Sequence, residues 1–166
     1  MGLRKHEVVV VGGGVVGAAT ALALFRLGLD VALVERGAPP APFNPDPYDP
    51  RVYALSPGTA RFLDSLGVWN RIAATRVSRY ERMRVWENDP AHALTFDAAQ
   101  LAAPELGFIV EDGLLRSALW SALGGATVYA GAQAAGFHAD EKAARLELDN
   151  GMVLDAALVI AAEGAD

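Results

Sequence analysis

The sequence predicts an α/β fold that is built on a parallel β-sheet. A β-branched run, Val8–Val11, is typical of a short strand that is buried on both faces. An Ala- and Leu-rich segment follows it, has the composition of a helix, and ends near Gly28. A second apolar run, Val31–Val34, comes next. A strand, a helix and a strand in this order indicate a βαβ unit with two parallel strands.

The turn between the first strand and the helix is rich in glycine. Gly12, Gly14 and Gly17 have the spacing G-x-G-x-x-G. The first glycine permits a sharp turn, the second lets a pyrophosphate approach the backbone, and the third lets the helix lie close to the strand. Glu35 ends the second strand, near where this pattern places a carboxylate for ribose hydroxyls. The motif in this context predicts a Rossmann-like dinucleotide site, whereas an isolated match would equally fit an ordinary glycine-rich turn.

The acid at the end of the second strand also bears on which dinucleotide is bound. A carboxylate at Glu35 repels the 2′-phosphate that distinguishes NADP from NAD. The sequence therefore favours FAD or NAD at this site.

Composition excludes several other classes of function. The 166-residue chain is 52% hydrophobic and carries a net charge of −6 without a basic cluster, which argues against nucleic-acid binding. The absence of cysteine excludes disulfides and Cys-ligated metal. The histidines His6, His92 and His138 are scattered, so we predict no metal site. The longest apolar stretch, Val15–Leu24, is too short to cross a bilayer.

The middle of the chain predicts a loop followed by helices. Gly37–Pro50 is rich in proline and should form an extended, mobile loop, either a flap over a cofactor or a surface connector. Ser56 followed by proline predicts a helix that runs through Leu66, with a shorter helix over Val68–Ala73. The side of the first helix that we expect to be buried consists of Ala60, Phe62, Leu63 and Leu66.

Alternating faces predict a separate antiparallel sheet. Its strands are Met83–Glu87 and Leu94–Asp97, joined by a polar turn over Asn88–His92. A short apolar run at Phe108–Val110 precedes a predicted amphipathic helix over Asp112–Leu123. The helix stacks leucines four residues apart on one side, at Leu115, Leu119 and Leu123.

The last part of the chain predicts strands. Val128–Ala130 should be a third parallel strand, and Asn150-Gly151 indicates a hairpin turn within a meander. The predicted meander strands are Ala134–His138, Ala144–Asp149 and Met152–Asp155. A final apolar strand, Leu158–Ala162, should need cover on both faces. We therefore expect the chain to be the N-terminal piece of a longer protein.

Four stretches carry a resemblance to a known family. They are VVGGGVVGAATALAL through VALVE, DPRVYALSPGTARFLDSLGVW, GFIVEDGLLRSAL and the terminal LVIAAEGAD. Together they resemble the N-terminal portion of class A FAD-dependent aromatic hydroxylases. The likeness is greatest to the ubiquinone-biosynthesis hydroxylases related to 2-octaprenyl-6-methoxyphenol hydroxylase. The second stretch, Asp49–Trp69, is the most specific, because it is similar to that subfamily's D-x-R-x-x-A-L-S…L-G-V-W signature.

The resemblance implies a set of cofactor-binding residues in the first part of the chain. Glu35 would contact the adenosine ribose, Arg36 would lie on the adenine side, and Arg51 would lie near the flavin or its pyrophosphate. The FAD pyrophosphate would be held by Gly12, Gly14, Val15, Val16 and Gly17.

Three further positions follow from the same resemblance. Glu111 would offer a polar side chain to the cofactor, and Arg116 would follow one helical turn later; solvated charge is the open alternative for both. Glu163 stands where the family has Asp in a G-A-D-G turn, and is one methylene longer. Residues 1–80 and 108–166 would be the two parts of the FAD-binding domain, and 81–107 would be part of an antiparallel substrate sheet.

The activity that the resemblance implies belongs to the full-length protein. It is a monooxygenase that uses FAD, NAD(P)H and O₂, through a flavin C4a-hydroperoxide, to hydroxylate a polyprenylated phenolic ring in ubiquinone biosynthesis. Such a substrate implies a cytoplasmic protein that associates peripherally with the inner membrane. We expect this chain alone to be inactive and to self-associate through exposed apolar surface. A flavin oxidase or dehydrogenase with the same FAD half, and a non-catalytic nucleotide-binding module, are the alternatives.

Overall fold

The computed structural model describes residues 3–140 and 143–164. Its strands are β1 (Leu3–Val11), β2 (Val31–Glu35), β3 (Val52–Leu55), β4 (Ser78–Tyr80), β5 (Arg82–Val85), β6 (Leu94–Asp97), β7 (Gly107–Glu111), β8 (Thr127–Ala130), β9 (Ala134–Ala139), β10 (Ala144–Leu148) and β11 (Val153–Ala161). Its helices are α1 (Val15–Arg26), α2 (Pro57–Ser65), α3 (Trp69–Thr75) and α4 (Asp112–Ala122), with short 3₁₀ turns at Pro90–His92 and Ala98–Leu101.

The chain divides into two compact units. The first consists of Met1–Phe43 and Arg116–Asp166, and the second of Asn44–Leu115. Residues 44–80, which we assigned to the FAD-binding part, thus share a compact unit with 81–107. The assignment of these segments to functional domains stays a prediction.

The first unit is built on a mixed six-stranded sheet with the strand order β8-β2-β1-β11-β10-β9. Strands β8, β2, β1 and β11 are parallel to one another, whereas β10 pairs antiparallel with both β11 and β9. Val8–Val11 pairs with Val31–Val34, residue for residue. These apolar residues are almost completely buried, as expected for central parallel strands. The predicted βαβ unit and its third parallel strand are confirmed.

Helix α1 buries one narrow face of small residues. Gly17, Ala18, Ala21 and Leu22 are its buried members. They recur at helical spacing, and the glycine and two alanines among them allow close packing of the helix. The helix ends just before Gly28, whose φ of +87° lies in the left-handed region that glycine adopts easily. The predicted helix and its glycine stop are confirmed.

The C-terminal strands differ from the prediction in one respect. Met152–Asp155 and Leu158–Ala162 were expected as separate strands, but Val153–Ala161 is one continuous strand, β11. Its whole length pairs in parallel with β1, and its first half also pairs antiparallel with β10. This pairing keeps the backbone extended through Ala156, where the sequence offers no turn former to separate two strands. Leu158 is 51% exposed, so the expected cover on both faces is not present around this side chain.

The second unit contains two small antiparallel sheets. One has the order β3-β7-β4, and the other is the ribbon formed by β5 and β6. The ribbon confirms the predicted antiparallel pair. The Ser56 hydroxyl accepts a hydrogen bond from Thr59 N at 3.1 Å, which confirms the predicted cap of α2. Phe62 was expected to be buried but is 45% exposed, because α2 buries only a narrow side that includes Ala60 and Leu63.

The described part of the chain contains neither a membrane-spanning helix nor a cluster of metal-binding side chains. None of its helices combines the length and the apolar character that a membrane crossing requires. No three of its histidine, aspartate and glutamate side chains lie close enough together to hold a metal ion.

Candidate functional site

The glycine turn joins β1 to α1 through two unusually close backbone contacts. Gly12 has a φ of +105°, and a Cβ built on it would lie 2.5 Å from the carbonyl oxygen of Ala162. A Cβ at Gly17 would collide with the carbonyl oxygen of Gly12. The first turn of α1 therefore lies directly against the end of β1, and only glycine fits at either position. The roles predicted for these two glycines in the geometry of the turn are confirmed.

The amides at the start of α1 are available to a ligand. Gly14 is the N-cap of the helix, and no side chain caps it. Gly12 N donates to Val34 O at 2.8 Å and Gly13 N donates to Glu35 Oε2 at 2.5 Å. For the N–H groups of Gly14, Val15 and Val16, the described residues supply no acceptor. Uncapped amides at a helix N-terminus form a site for an anion.

The Gly12 amide differs from those at the start of α1. It is bonded within the sheet, so the observed role of Gly12 is the shape of the turn, and its contact with a pyrophosphate stays a prediction. The open space lies at Gly14, because a Cβ built there would meet no atom within 4 Å. Packing within the protein therefore does not require glycine at position 14. That is the behaviour expected of a position that a ligand approaches.

Glu35 links the glycine turn to the loop after β2. Its Oε2 accepts the hydrogen bond from Gly13 N, and its Oε1 accepts one from Gly37 N at 2.8 Å. The carboxylate is therefore fixed in place beside the glycine turn. An ionised carboxylate has about four acceptor positions, so two remain for other donors such as sugar hydroxyls.

A cleft lies at the carboxyl ends of β1 and β2. It is lined by Val11, Gly12, Val34, Glu35, Arg36, Ala132, Gln133, Ala134 and Glu163. Ligands of open α/β sheets bind in this region, outside the carboxyl ends of parallel strands. The structure thus brings together Gly12, Glu35, Arg36 and Glu163, which lie far apart in sequence. Arg36 and Glu163 are both exposed at this cleft.

In the second unit, the half-buried Arg76 forms an ion pair with Glu111, which is buried. The Glu111 side chain is 7% exposed and meets the Arg76 guanidinium through two hydrogen bonds, Nε to Oε2 at 2.7 Å and Nη2 to Oε1 at 2.8 Å. Asp49 N also donates to Oε1, at 2.7 Å. The solvated charge that we kept as an alternative is therefore wrong for Glu111. These three hydrogen bonds use most of the acceptor positions of the carboxylate, and its contact with the cofactor stays a prediction.

The same network orders the second half of the proline-rich loop. Arg76 Nη1 donates to Pro45 O at 2.8 Å, and its guanidinium stacks 4.0 Å from the centre of the Tyr48 ring. The Asp49 carboxylate accepts hydrogen bonds from Arg51 N at 2.9 Å and Gly113 N at 3.1 Å. These two backbone donors, Arg51 first, hold the pKa of Asp49 below its ordinary value. Specific contacts therefore hold residues 45–51, whereas we expected the loop to be mobile.

The remaining predicted residues differ in their surroundings. The Arg51 side chain is 72% exposed, with Nη1 4.0 Å from Asp112 Oδ2. Arg116 is half-buried on α4. Whether either contacts a cofactor stays a prediction.

The sequence did not predict the roles of two residues in these hydrogen-bond networks, Arg76 and Trp120. Arg76 lies at the end of α3, 35 residues from the carboxylate that it pairs with. Trp120 lies on α4, and its indole Nε1 donates to the Gly13 carbonyl at 2.8 Å. The available signal for Trp120 was Gly13, a glycine that the motif G-x-G-x-x-G does not require.

The fold and the glycine turn define a dinucleotide-binding protein, and comparison with known families makes this specific. Residues 5–166 match the family described as "FAD binding domain". The chain belongs to this family, and FAD is its cofactor. The likeness predicted from the four sequence stretches is confirmed.

Two curated relatives resemble the chain over nearly its whole length. The chain is 41% identical over 167 residues to 3-demethoxyubiquinol 3-hydroxylase of Escherichia coli K12. This match covers 98% of this chain and 42% of that protein. It is 30% identical over 164 residues to ubiquinone hydroxylase UbiL of Rhodospirillum rubrum, with 97% and 38% covered. The chain therefore spans about two fifths of the length of these relatives.

A solved structure supports the fold. The flavin-dependent monooxygenase PieE, solved in complex with FAD and substrate, superposes with a TM-score of 0.76 at 20% sequence identity. The match covers 97% of this chain and 30% of PieE. At this identity the likeness concerns the fold alone, and it confirms the predicted α/β class.

The residues present fit the adenosine diphosphate part of FAD. Uncapped amides at Gly14, Val15 and Val16 suit a diphosphate, and Glu35 retains acceptor capacity beside them. A carboxylate at this position is also unfavourable for a 2′-phosphate, which FAD lacks.

Substitution of two glycines separates ligand access from packing. Gly14→Ala should leave the melting temperature unchanged, because its φ of −65° suits alanine and its Cβ has free space. It should weaken FAD binding in the full chain about tenfold or more, near 1.4 kcal/mol, because the methyl group occupies the approach to the amides. Gly17→Ala should instead lower the free energy of unfolding by about 1–3 kcal/mol. Equal effects of the two changes on stability would contradict this division.

Removal of the Arg76 guanidinium should destabilise the second unit. Arg76→Met leaves the buried Glu111 carboxylate without its cationic partner, which typically costs about 3 kcal/mol or more. The matched control is Arg79→Met, because Arg79 pairs with Glu105 at 3.2 Å but is 59% exposed and should cost about 1 kcal/mol or less. Urea unfolding measures both. Equal losses would show that burial of the Arg76 pair has no energetic consequence.

Proposed function

We propose that the full-length protein is an FAD-dependent monooxygenase that hydroxylates the phenolic ring of a polyprenylated ubiquinone precursor. One observation carries the proposal: the amides of Gly14, Val15 and Val16 are open at the start of α1, and Glu35 is fixed beside them. The names of the two sequence relatives support the substrate class, since both are hydroxylases of ubiquinone or its demethoxy precursor.

The residues of this chain serve to bind and orient the cofactor. FAD, when bound, supplies the redox chemistry by which NAD(P)H and O₂ can hydroxylate an electron-rich ring. The amides at the start of α1 would hold its diphosphate, and Glu35 would accept hydrogen bonds from the adenosine ribose. Arg36, Glu163 and the loop of Ala132–Ala134 would line the same cleft on the adenosine side. We assign no catalytic residue to this chain.

Different observations support the proposed cofactor contacts of Arg51, Glu111 and Arg116. Arg51 is exposed and conformationally tied at its backbone by Asp49, which suits a charge-assisted contact with the flavin or its pyrophosphate. For Glu111 and Arg116, a cofactor contact rests on the family resemblance alone.

The test is the visible spectrum and turnover of the full-length protein. We expect flavin absorbance, and NAD(P)H and O₂ consumption that equals the yield of hydroxylated product when a ubiquinone-precursor phenol is added. Hydrogen peroxide without hydroxylated product would identify a flavin oxidase. Flavin reduction without O₂ consumption would identify a dehydrogenase, and the absence of flavin after reconstitution would favour a non-catalytic nucleotide-binding module.

A polyprenylated substrate would also require the protein to work at a membrane surface. We infer cytoplasmic residence with peripheral association at the inner membrane, supported by the chemistry of the precursor in the relatives' names. Cosedimentation of the full-length protein with phospholipid vesicles measures this association directly.

The isolated 166-residue chain should self-associate. The ribbon of β5 and β6 places Met83, Phe96, Val85 and Leu94 on one face, and each is at least 41% exposed. Exposed apolar faces of this kind drive association of otherwise folded chains. Light scattering should give a mass that rises with concentration, and Phe96→Lys should reduce it. A monodisperse monomer at all concentrations would contradict this prediction.

A further inference from the structure

Gly13 is the glycine of the turn that the dinucleotide motif leaves unexplained. Its φ does not lie in the left-handed region, so backbone conformation does not demand glycine there. Its surroundings do, because a Cβ at this position would lie 2.5 Å from Cζ2 of the Trp120 ring and 2.8 Å from Glu35 Oε2. The residue is buried, and these two side chains lie against it.

Both polar groups of Gly13 are bound by those same side chains. Its N–H donates to Glu35 Oε2 at 2.5 Å, and its carbonyl accepts from Trp120 Nε1 at 2.8 Å. Trp120 comes from α4 and Glu35 from β2, and both residues belong to the first unit, so two separate elements hold the turn. The orientation of the Gly13 carbonyl is thus set by a side chain 107 residues away.

The Gly13 carbonyl belongs to the peptide group whose N–H is that of Gly14. In a planar trans peptide the C=O and the N–H point in opposite directions. A carbonyl held by Trp120 therefore directs the Gly14 N–H away from the indole, and no acceptor among the described residues takes that N–H. Loss of the indole hydrogen bond would let this peptide rotate, and the Gly14 amide would lose its fixed direction.

We propose that Trp120 is a positioning residue that orients the Gly14 amide for the diphosphate of the dinucleotide. The inference rests on the proposed FAD site and adds to it a residue outside the glycine motif. Trp120 would touch no ligand atom itself. Its effect would be confined to ligands that carry the diphosphate, because it acts only through the Gly14 amide.

The test compares ADP with adenosine, which differ by the diphosphate alone. In the full chain, Trp120→Phe keeps an aromatic ring but removes the indole N–H. We expect this substitution to raise the dissociation constants of FAD and ADP about 5- to 10-fold, which corresponds to the loss of one hydrogen bond. The dissociation constant of adenosine should rise less than twofold. Both nucleotides are measured as competitors of FAD. Trp69→Phe, in the second unit, is the matched control and should change none of these constants.

Two additions keep the outcome unambiguous. Thermal melting identifies a variant that fails to fold, and Trp120→Tyr, which also lacks the indole N–H, then replaces Trp120→Phe with the same expectation. Equal weakening of ADP and adenosine, or no weakening of either, would overturn the positioning role while leaving the FAD site intact. Absence of FAD binding by the unsubstituted protein would overturn the proposed function and this inference together.

Discussion

The contact of the first turn of α1 with the Gly12 carbonyl is the constraint on which the rest of the site depends. A side chain at Gly17 would push the helix away from the end of β1. Because the helix starts so close to the strand, its uncapped amides lie at the carboxyl edge of the sheet. Glu35, at the end of β2, lies at the same edge. The spacing of two glycines thus determines where the uncapped amides lie relative to Glu35.

Glu35 has a structural role in addition to the one that its position in the motif suggests. It bridges Gly13 N and Gly37 N, so the acid that would face a ribose also fixes the loops on either side of it. A carboxylate that is already oriented by two backbone donors pays little conformational entropy when it receives further ones. Organisation of the site before binding is therefore a property of this chain itself.

The βαβ unit could be predicted from sequence because every local signal agrees there: a β-branched strand, spaced glycines, helix formers and a terminal acid. The cap at Ser56 was equally predictable, because capping is local. The pair of Arg76 with Glu111 and the bond of Trp120 to Gly13 span 35 and 107 residues, and no local pattern encodes such contacts. Strand β11 was divided in the prediction because the pairing with β1 that keeps it continuous is also non-local.

The most direct test of the account is a crystal structure of the full-length protein with FAD bound. We predict diphosphate oxygens within hydrogen-bonding distance of the Gly14, Val15 and Val16 amide nitrogens, and a ribose hydroxyl donating to the Glu35 carboxylate. A diphosphate bound elsewhere, or a Glu35 carboxylate turned away from the ribose, would contradict it.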